Sequence, residues 1–218
     1  MSHEPPGQSA ERTAQSGDDP IQEDLALRRA LLYVAVPFWI VPGIADWYWH
    51  RRTKIEHTSG THESLTHALM MGVVGAPMTA ALLCEINALV IALMIAAAAT
   101  HEGITIWDVG YAQGRREVTP TEQHTHSFLE VMPFAATTLA VCLKPSQFAA
   151  LFGRGDEPAR WTLTPKRPAL SKRYVAAILA AVGALVVLPY AEEFVRCYRV
   201  DRTLAPHARP DPPRIASD

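Results

Sequence analysis

The stretch from residue 65 to residue 106 is a predominantly apolar run of about 42 residues, broken by Glu85, Asn87, His101 and Glu102. As one straight helix at 1.5 Å per residue it would reach roughly 63 Å. That is twice the hydrocarbon core of a bilayer, about 30 Å. The stretch is therefore expected to fold back on itself at the polar tetrapeptide near its middle, Cys84-Glu85-Ile86-Asn87. No Gly or Pro marks a turn there, so the expectation rests on length and not on turn chemistry.

Three further apolar regions begin at Ala30, Ser127 and Tyr174. Together these predict an all-α, polytopic membrane bundle of five spans, near 28–49, 62–83, 86–107, 122–143 and 173–194. The bundle proper is assigned to residues 25–200. Residues 1–24 are polar and acidic and lack the basic start and short apolar core of a secretory signal, so a disordered N-terminal tail is expected. Residues 201–218 carry four prolines and no apolar run and are expected to form a disordered C-terminal tail. Pro37, Pro42, Pro77 and Pro133 fall inside spans, where neighbouring helices can satisfy the freed carbonyls. The small residues of 72–81 suggest close helix–helix contact. Trp39, Trp47, Tyr48, Trp49 and Trp107 lie near span ends, as an interfacial aromatic belt would.

Other classes are disfavoured. The formal charge is −2 with no basic stripe, so nucleic acid is not an expected partner. Cys84, Cys142 and Cys197 are widely spaced and form no C-x-x-C pair, which argues against a zinc knuckle or a disulfide framework.

Five alternating crossings gather chemistry on one side. If span 1 begins on side A and ends on side B, spans 1, 3 and 5 finish on side B, and spans 2 and 4 start there. Asp46 and His50 close span 1, Glu63 and His67 open span 2, His101 and Asp108 end span 3, and Glu122, His126 and Glu130 open span 4. Residues four apart share a helix face, and seven apart is two turns. Each of four helix ends thus presents carboxylate and imidazole toward one boundary. Ionisable groups at membrane depth are costly and mark functional sites, and these nine are the expected metal ligands. Glu56, His57, His62, Glu102 and His124 are read as outer-sphere or solvated loop residues. Arg115 and Arg116 are read as basic flanks or as holders of an anionic lipid head group.

Imidazole with carboxylate suits iron, zinc or manganese. Nine ligands exceed the needs of one ion, so two metal ions, iron in the first instance and zinc as the alternative, are expected. The pattern has the character of membrane-bound di-iron hydroxylases and desaturases, although it lacks their His-His pairs and the Glu-x-x-His of soluble di-iron bundles. The expected function is a metal-dependent membrane oxidoreductase acting on a lipid or isoprenoid chain. Without a nucleotide-binding glycine pattern, its electrons would come from a separate donor. The alternatives are a zinc-dependent membrane hydrolase, a divalent-metal transporter, a haem protein using His67 and His101, or a non-catalytic membrane protein. The expected location is the bacterial cytoplasmic membrane. Nine Lys/Arg on side A against eight on side B leave orientation open under the positive-inside rule, and oxygen chemistry fed by cellular reductants favours side B in the cytosol.

Overall fold

The structure is a computed structural model and describes residues 20–204. Helix α1 runs from Pro20–Ala30 through a widened π segment, Leu31–Ala35, into Val36–Thr53. It is followed by α2 (Gly60–Leu83), α3 (Ala88–Gln113), α4 (Pro120–Leu143), a short α5 (Pro145–Ala150) and α6. Helix α6 comprises Lys172–Val182, a second π segment at Gly183–Val187, and Leu188–Leu204. Helices α1, α2, α3, α4 and α6 are long and apolar enough to cross a membrane, and the chain is an all-α bundle. The first five predicted tail residues that are described, 20–24, are helical, as are 201–204 at the other end. The rest of both predicted tails lies outside the described residues.

Both π segments end two residues before a proline, Pro37 and Pro189. Proline donates no hydrogen bond and its ring clashes with the preceding turn. Widening that turn absorbs the mismatch without breaking the helix.

The reversal at Cys84–Asn87 is present, and its stability comes from elsewhere in the chain. Asn87 caps α3 by accepting from the Val90 amide at 3.1 Å. The side A loop supplies the remaining partners. Glu85 N donates to Thr164 O (2.8 Å), Lys166 N to Leu83 O (3.0 Å), and Asn87 Nδ2 to Thr162 O (2.8 Å). Lys166 Nζ also reaches Ala81 O at 2.8 Å, a cation on the carbonyl end of α2. Gln147 ties the loop down. Fully buried, it accepts from Ala88 N and Arg160 N and donates to Glu157 Oε2 and Pro158 O. Replacing Gln147 with leucine strands the buried Ala88 amide, at about 1–3 kcal/mol, and frees the partly buried Arg160 amide. Faster hydrogen exchange of the 154–171 loop and of Leu83–Leu89 is the expected result.

The spanning helices close a ring. Helix α1 packs on α4 and α6, α4 on α3, α3 on α2, and α2 on α6 through its Leu188–Leu204 part. Val90, Ile91, Met94, Ala136 and Ala140 form a dry core between α3 and α4 in the side A half. The expected close contact at residues 72–81 is carried by Pro77 and Ala81, which are buried, and not by the glycines. Gly72 and Gly75 are exposed, and a Cβ on either would meet nothing within 4 Å. The two glycines leave a gap along α2 instead of a seam.

That gap leads to the main cavity, about 370 Å³, enclosed by all five spanning helices. Its walls include Met70, Val74, Leu129, Val182 and Val186, and they are almost entirely apolar except at the side B end. Exposed Gly75, Thr79 and Leu179 also line it, so it communicates with the lipid-facing surface between α2 and the first half of α6. A second cavity continues from Leu82 and Leu83 to Val175, Ala176 and Lys172.

The helices run past their apolar segments on side B, and the α1–α2 connection folds over the opening. Lys54 and Gly60 adopt positive φ (53° and 65°), bringing the chain back across the bundle end. Between them Ile55 is fully buried and Ser59 nearly so. Thr61 N donates to Asp201 at 3.1 Å and Tyr111 Oη to Ser59 O at 3.3 Å, which pins this roof to α6 and α3.

Candidate metal centre

Beneath the roof the structure brings together seven of the nine expected ligands in one polar cap, while Glu130 and His101 line the cavity below it. Asp46, His50, Glu63, His67, Asp108 and Glu122 are all buried. The i,i+4 pairs are formed as the spacing requires: Asp46 and His50 face inward from α1, and His50 Nε2 is 3.4 Å from Asp46 Oδ1. From α4, His126 Nε2 is 2.7 Å from the same oxygen, out of hydrogen-bond alignment. The three ligand atoms lie within 4.8 Å of one another. Asp46 Oδ1, His50 Nε2 and His126 Nε2 are each buried with no hydrogen-bond partner among the described residues. Ligands about 2.1 Å from a tetrahedral ion stand about 3.4 Å apart, which matches the Asp46–His50 edge.

The other atoms of these groups are held. Asp46 Oδ2 accepts from Tyr190 Oη at 2.8 Å. His50 Nδ1 meets Glu193 Oε2 at 2.9 Å. His50 Nε2 stands 3.4 Å from Asp46 Oδ1 and 3.5 Å from Glu122 Oε1, and with the ring proton on Nδ1 toward Glu193 it would have a lone pair to offer a cation. Glu193 stands where an outer carboxylate would orient His50 if that histidine held a metal ion. Its second oxygen meets His67 Nδ1 at 3.4 Å, while His67 Nε2 faces Asp108 Oδ2 at 3.2 Å. Thr66 donates to Asp108. His67 stacks on His50 with ring centroids 4.6 Å apart. A second cluster, His50, Glu63 and His67, satisfies the same proximity criterion but shares His50 with the first.

Glu63 and Glu122 form the floor of a buried ion pair. Arg116 donates two hydrogen bonds to Glu63, and its Nη2 is 2.7 Å from Glu122 Oε1. Burial opposes the charge of Arg116, and the two carboxylates overcome that opposition, holding the guanidinium above its ordinary pKa. Its side chain is 3% exposed, which leaves no face for a head group. Arg115 is the exposed arginine of the pair, lying over the Tyr111 ring at 3.6 Å.

The remaining expected residues sort by distance from this cap. Glu130 lines the cavity one turn further along α4 than His126, and His101 lines it from α3 without joining either cluster. His62 stacks on Tyr111 at 3.9 Å. Glu56 pairs with Arg196, His57 is 58% exposed, and His124 is exposed against Phe128. Glu102 is half-buried outside the cap.

Glu193, Tyr190 and Thr66 were absent from the expected site. A signal for the first two existed, since span 5 also finishes on side B and carries Tyr-Ala-Glu-Glu there. Five carboxylates, Asp46, Glu63, Asp108, Glu122 and Glu193, are buried together; Arg116 pairs with Glu63 and Glu122, and the other three meet the nitrogens of His50, His67 and His126 and no guanidinium or ammonium group among the described residues. Buried charge without countercharge is strongly unfavourable, so the cluster suits a bound cation.

Together the fold and cap define an integral membrane helical bundle with a buried His/carboxylate centre above an apolar chamber. Compared with protein-family models, curated proteins and solved structures, the chain matches none.

Proposed function

We propose that this membrane bundle is an enzyme that holds one divalent metal ion on Asp46, His50 and His126 and cleaves an ester or amide bond of a lipid. The lipid's hydrocarbon chain occupies the chamber. The observation that carries this reading is the convergence of three buried, unpartnered ligand atoms at the polar end of an apolar cavity. Three protein ligands with a position left open is the arrangement of catalytic zinc, which lowers the pKa of a bound water to about 7. Of the carboxylates lining the cavity, Asp46 would be a ligand and Asp108 is bonded to His67 and Thr66, while Glu130 makes no hydrogen bond among the described residues. Helical side chains tilt toward the helix N-terminus, and α4 begins on side B, so Glu130 would be the general base, accepting a proton from water as it adds to the carbonyl carbon and returning it to the departing alcohol or amine. One ion is favoured over two because the two candidate triads share His50 and because Glu63 is neutralised by Arg116.

The roof over side B and the gap between α2 and α6 support a substrate that arrives from the membrane. A transport site would stand nearer the midplane and open to both sides. A second reading is favoured by one observation: two histidines and one carboxylate are also the ligand set of mononuclear iron(II) oxygenases. A dioxygen-dependent reaction on a lipid or isoprenoid chain, fed by a separate electron donor, would use the same chamber.

The test is full-length protein in phosphatidylcholine vesicles doped with an N-acyl amide, scored for free fatty acid. Release that a chelator stops and added zinc restores is the expected result. Iron in the purified protein with oxygen uptake selects the second reading, and neither activity with any divalent metal overturns the enzyme proposal. Within the same preparation, Glu193→Ala is expected to weaken metal affinity about 10- to 100-fold. Glu193→Gln, whose amide oxygen still accepts from His50 Nδ1, is expected to lose less, as read by competition with a chromogenic chelator.

A further inference from the structure

His101 is a buried polar side chain of the chamber wall that the proposed centre does not use. It is 7% exposed, lines the chamber, and its Nδ1 is buried without a partner. The one hydroxyl beside it, Thr105 Oγ1, is committed to the His101 carbonyl (3.0 Å) and to Met70 Sδ (3.3 Å) and does not serve the ring. A buried polar group left unsatisfied costs free energy comparable to a lost hydrogen bond, and such orphans in a native fold call for a specific explanation.

Its position gives the explanation. His101 precedes Asp108 by seven residues, about 10.5 Å along the helix axis. Helix α3 begins on side A, so its side chains tilt toward side A, and the His101 ring points away from the metal centre, deeper among apolar walls such as Met71 and Val74. It therefore differs from Glu130, which tilts the opposite way, toward the centre. An isolated imidazole partway down an otherwise apolar chamber discriminates by hydrogen bonding. It favours a chain that carries a polar atom at that depth and disfavours one that leaves the ring unpaired.

We infer that His101 is a specificity-determining residue that hydrogen-bonds an uncharged oxygen group, a hydroxyl or carbonyl, carried mid-chain on the substrate lipid. The substrate class is then an oxygen-functionalised acyl chain, with its reacting bond at Asp46, His50 and His126 and its second oxygen roughly 10 Å further in. This rests on the lipid-chamber reading given above. It does not depend on which reaction the metal supports.

The experiment measures binding of two probes to the full-length protein in detergent: octadecanoic acid and a mid-chain hydroxy-octadecanoic acid. The wild-type protein is expected to bind the hydroxy acid about tenfold more tightly, the effect of one buried hydrogen bond. H101L is expected to erase that preference while leaving the affinity for the unsubstituted acid unchanged or improved. H101Q, which keeps a donor and an acceptor, is expected to retain part of it. All three proteins are expected to carry the same amount of metal, because His101 is outside the ligand set, and this also certifies that each variant is folded. Equal binding of the two acids by the wild-type protein, or a preference that survives in H101L, overturns the inference and leaves the lipid chamber standing. Failure of both acids to bind overturns the chamber reading and this inference with it.

Discussion

Replacing His126 with alanine is expected to abolish high-affinity metal binding while leaving the bundle folded. The two halves of that expectation have separate physical grounds. A direct ligand contributes more than the outer partners whose loss costs 10- to 100-fold in affinity, so a fall of at least ~100-fold is anticipated, with loss of turnover. Stability should hardly change, because the His126 side chain is 15% exposed and its nitrogen makes no hydrogen bond that the fold relies on. His50→Ala is a poorer variant for this purpose. It opens a fully buried site and also strips Glu193 of its closest partner. Equilibrium dialysis against zinc, paired with a thermal melt in detergent, reads both halves at once. A His126→Ala protein that binds metal as the parent does would remove His126 from the centre.

The second large effect falls on stability. Glu63 and Glu122 are both fully buried, and Arg116 is the guanidinium set against them. Arg116→Met removes that countercharge and leaves two carboxylates in a low-dielectric interior. Breaking a buried pair in this way costs about 3–5 kcal/mol, enough to depress the melting temperature strongly or to prevent isolation of the folded protein. The companion variant, Arg116→Met with Glu63→Gln and Glu122→Gln, removes all three charges and is expected to recover most of the loss. An interfacial head-group arginine behaves differently: its removal changes stability by less than ~0.5 kcal/mol and needs no compensation. Arg115→Met, at the exposed neighbour, is the internal control.

The sequence carried the site in its spacing more than in its residue types. Asp46/His50 share a face because α1 runs unbroken to Thr53, beyond its apolar segment. Glu63/His67 do so because α2 begins before its own apolar segment, at Gly60. Chain length forced the reversal at Cys84–Asn87, and that reversal placed α3 and α4 with Asp108 and His126 at the same end. Partner choice was not legible. Glu63 and Glu122 have the same spacing to histidine as Asp46 has, yet they turn to Arg116, whose position was set by the α3–α4 connection. His101 and Asp108 do share a face, but two turns of separation put one in the cap and the other in the chamber. Glu193 lay inside the expected fifth span, but the positions four residues away are Pro189 and Cys197, so no carboxylate–histidine pair at helical spacing drew attention to it. The one local signal at Cys84–Asn87 is the helix cap of Asn87, and the other hydrogen bonds that hold the turn come from residues 160–167, roughly eighty positions away. The glycines of 72–81 mark a gap because α2 leans on α6 only beyond the second π segment.

The central claim is that Asp46, His50 and His126 hold a metal ion. The direct measurement is the metal content of purified full-length protein by elemental analysis, after incubation with zinc, iron(II) or manganese and removal of the excess. About one ion per chain is predicted, retained in Glu130→Gln and lost in Asp46→Asn. A folded protein that retains none of the three metals, or that retains them equally in Asp46→Asn, would contradict the account.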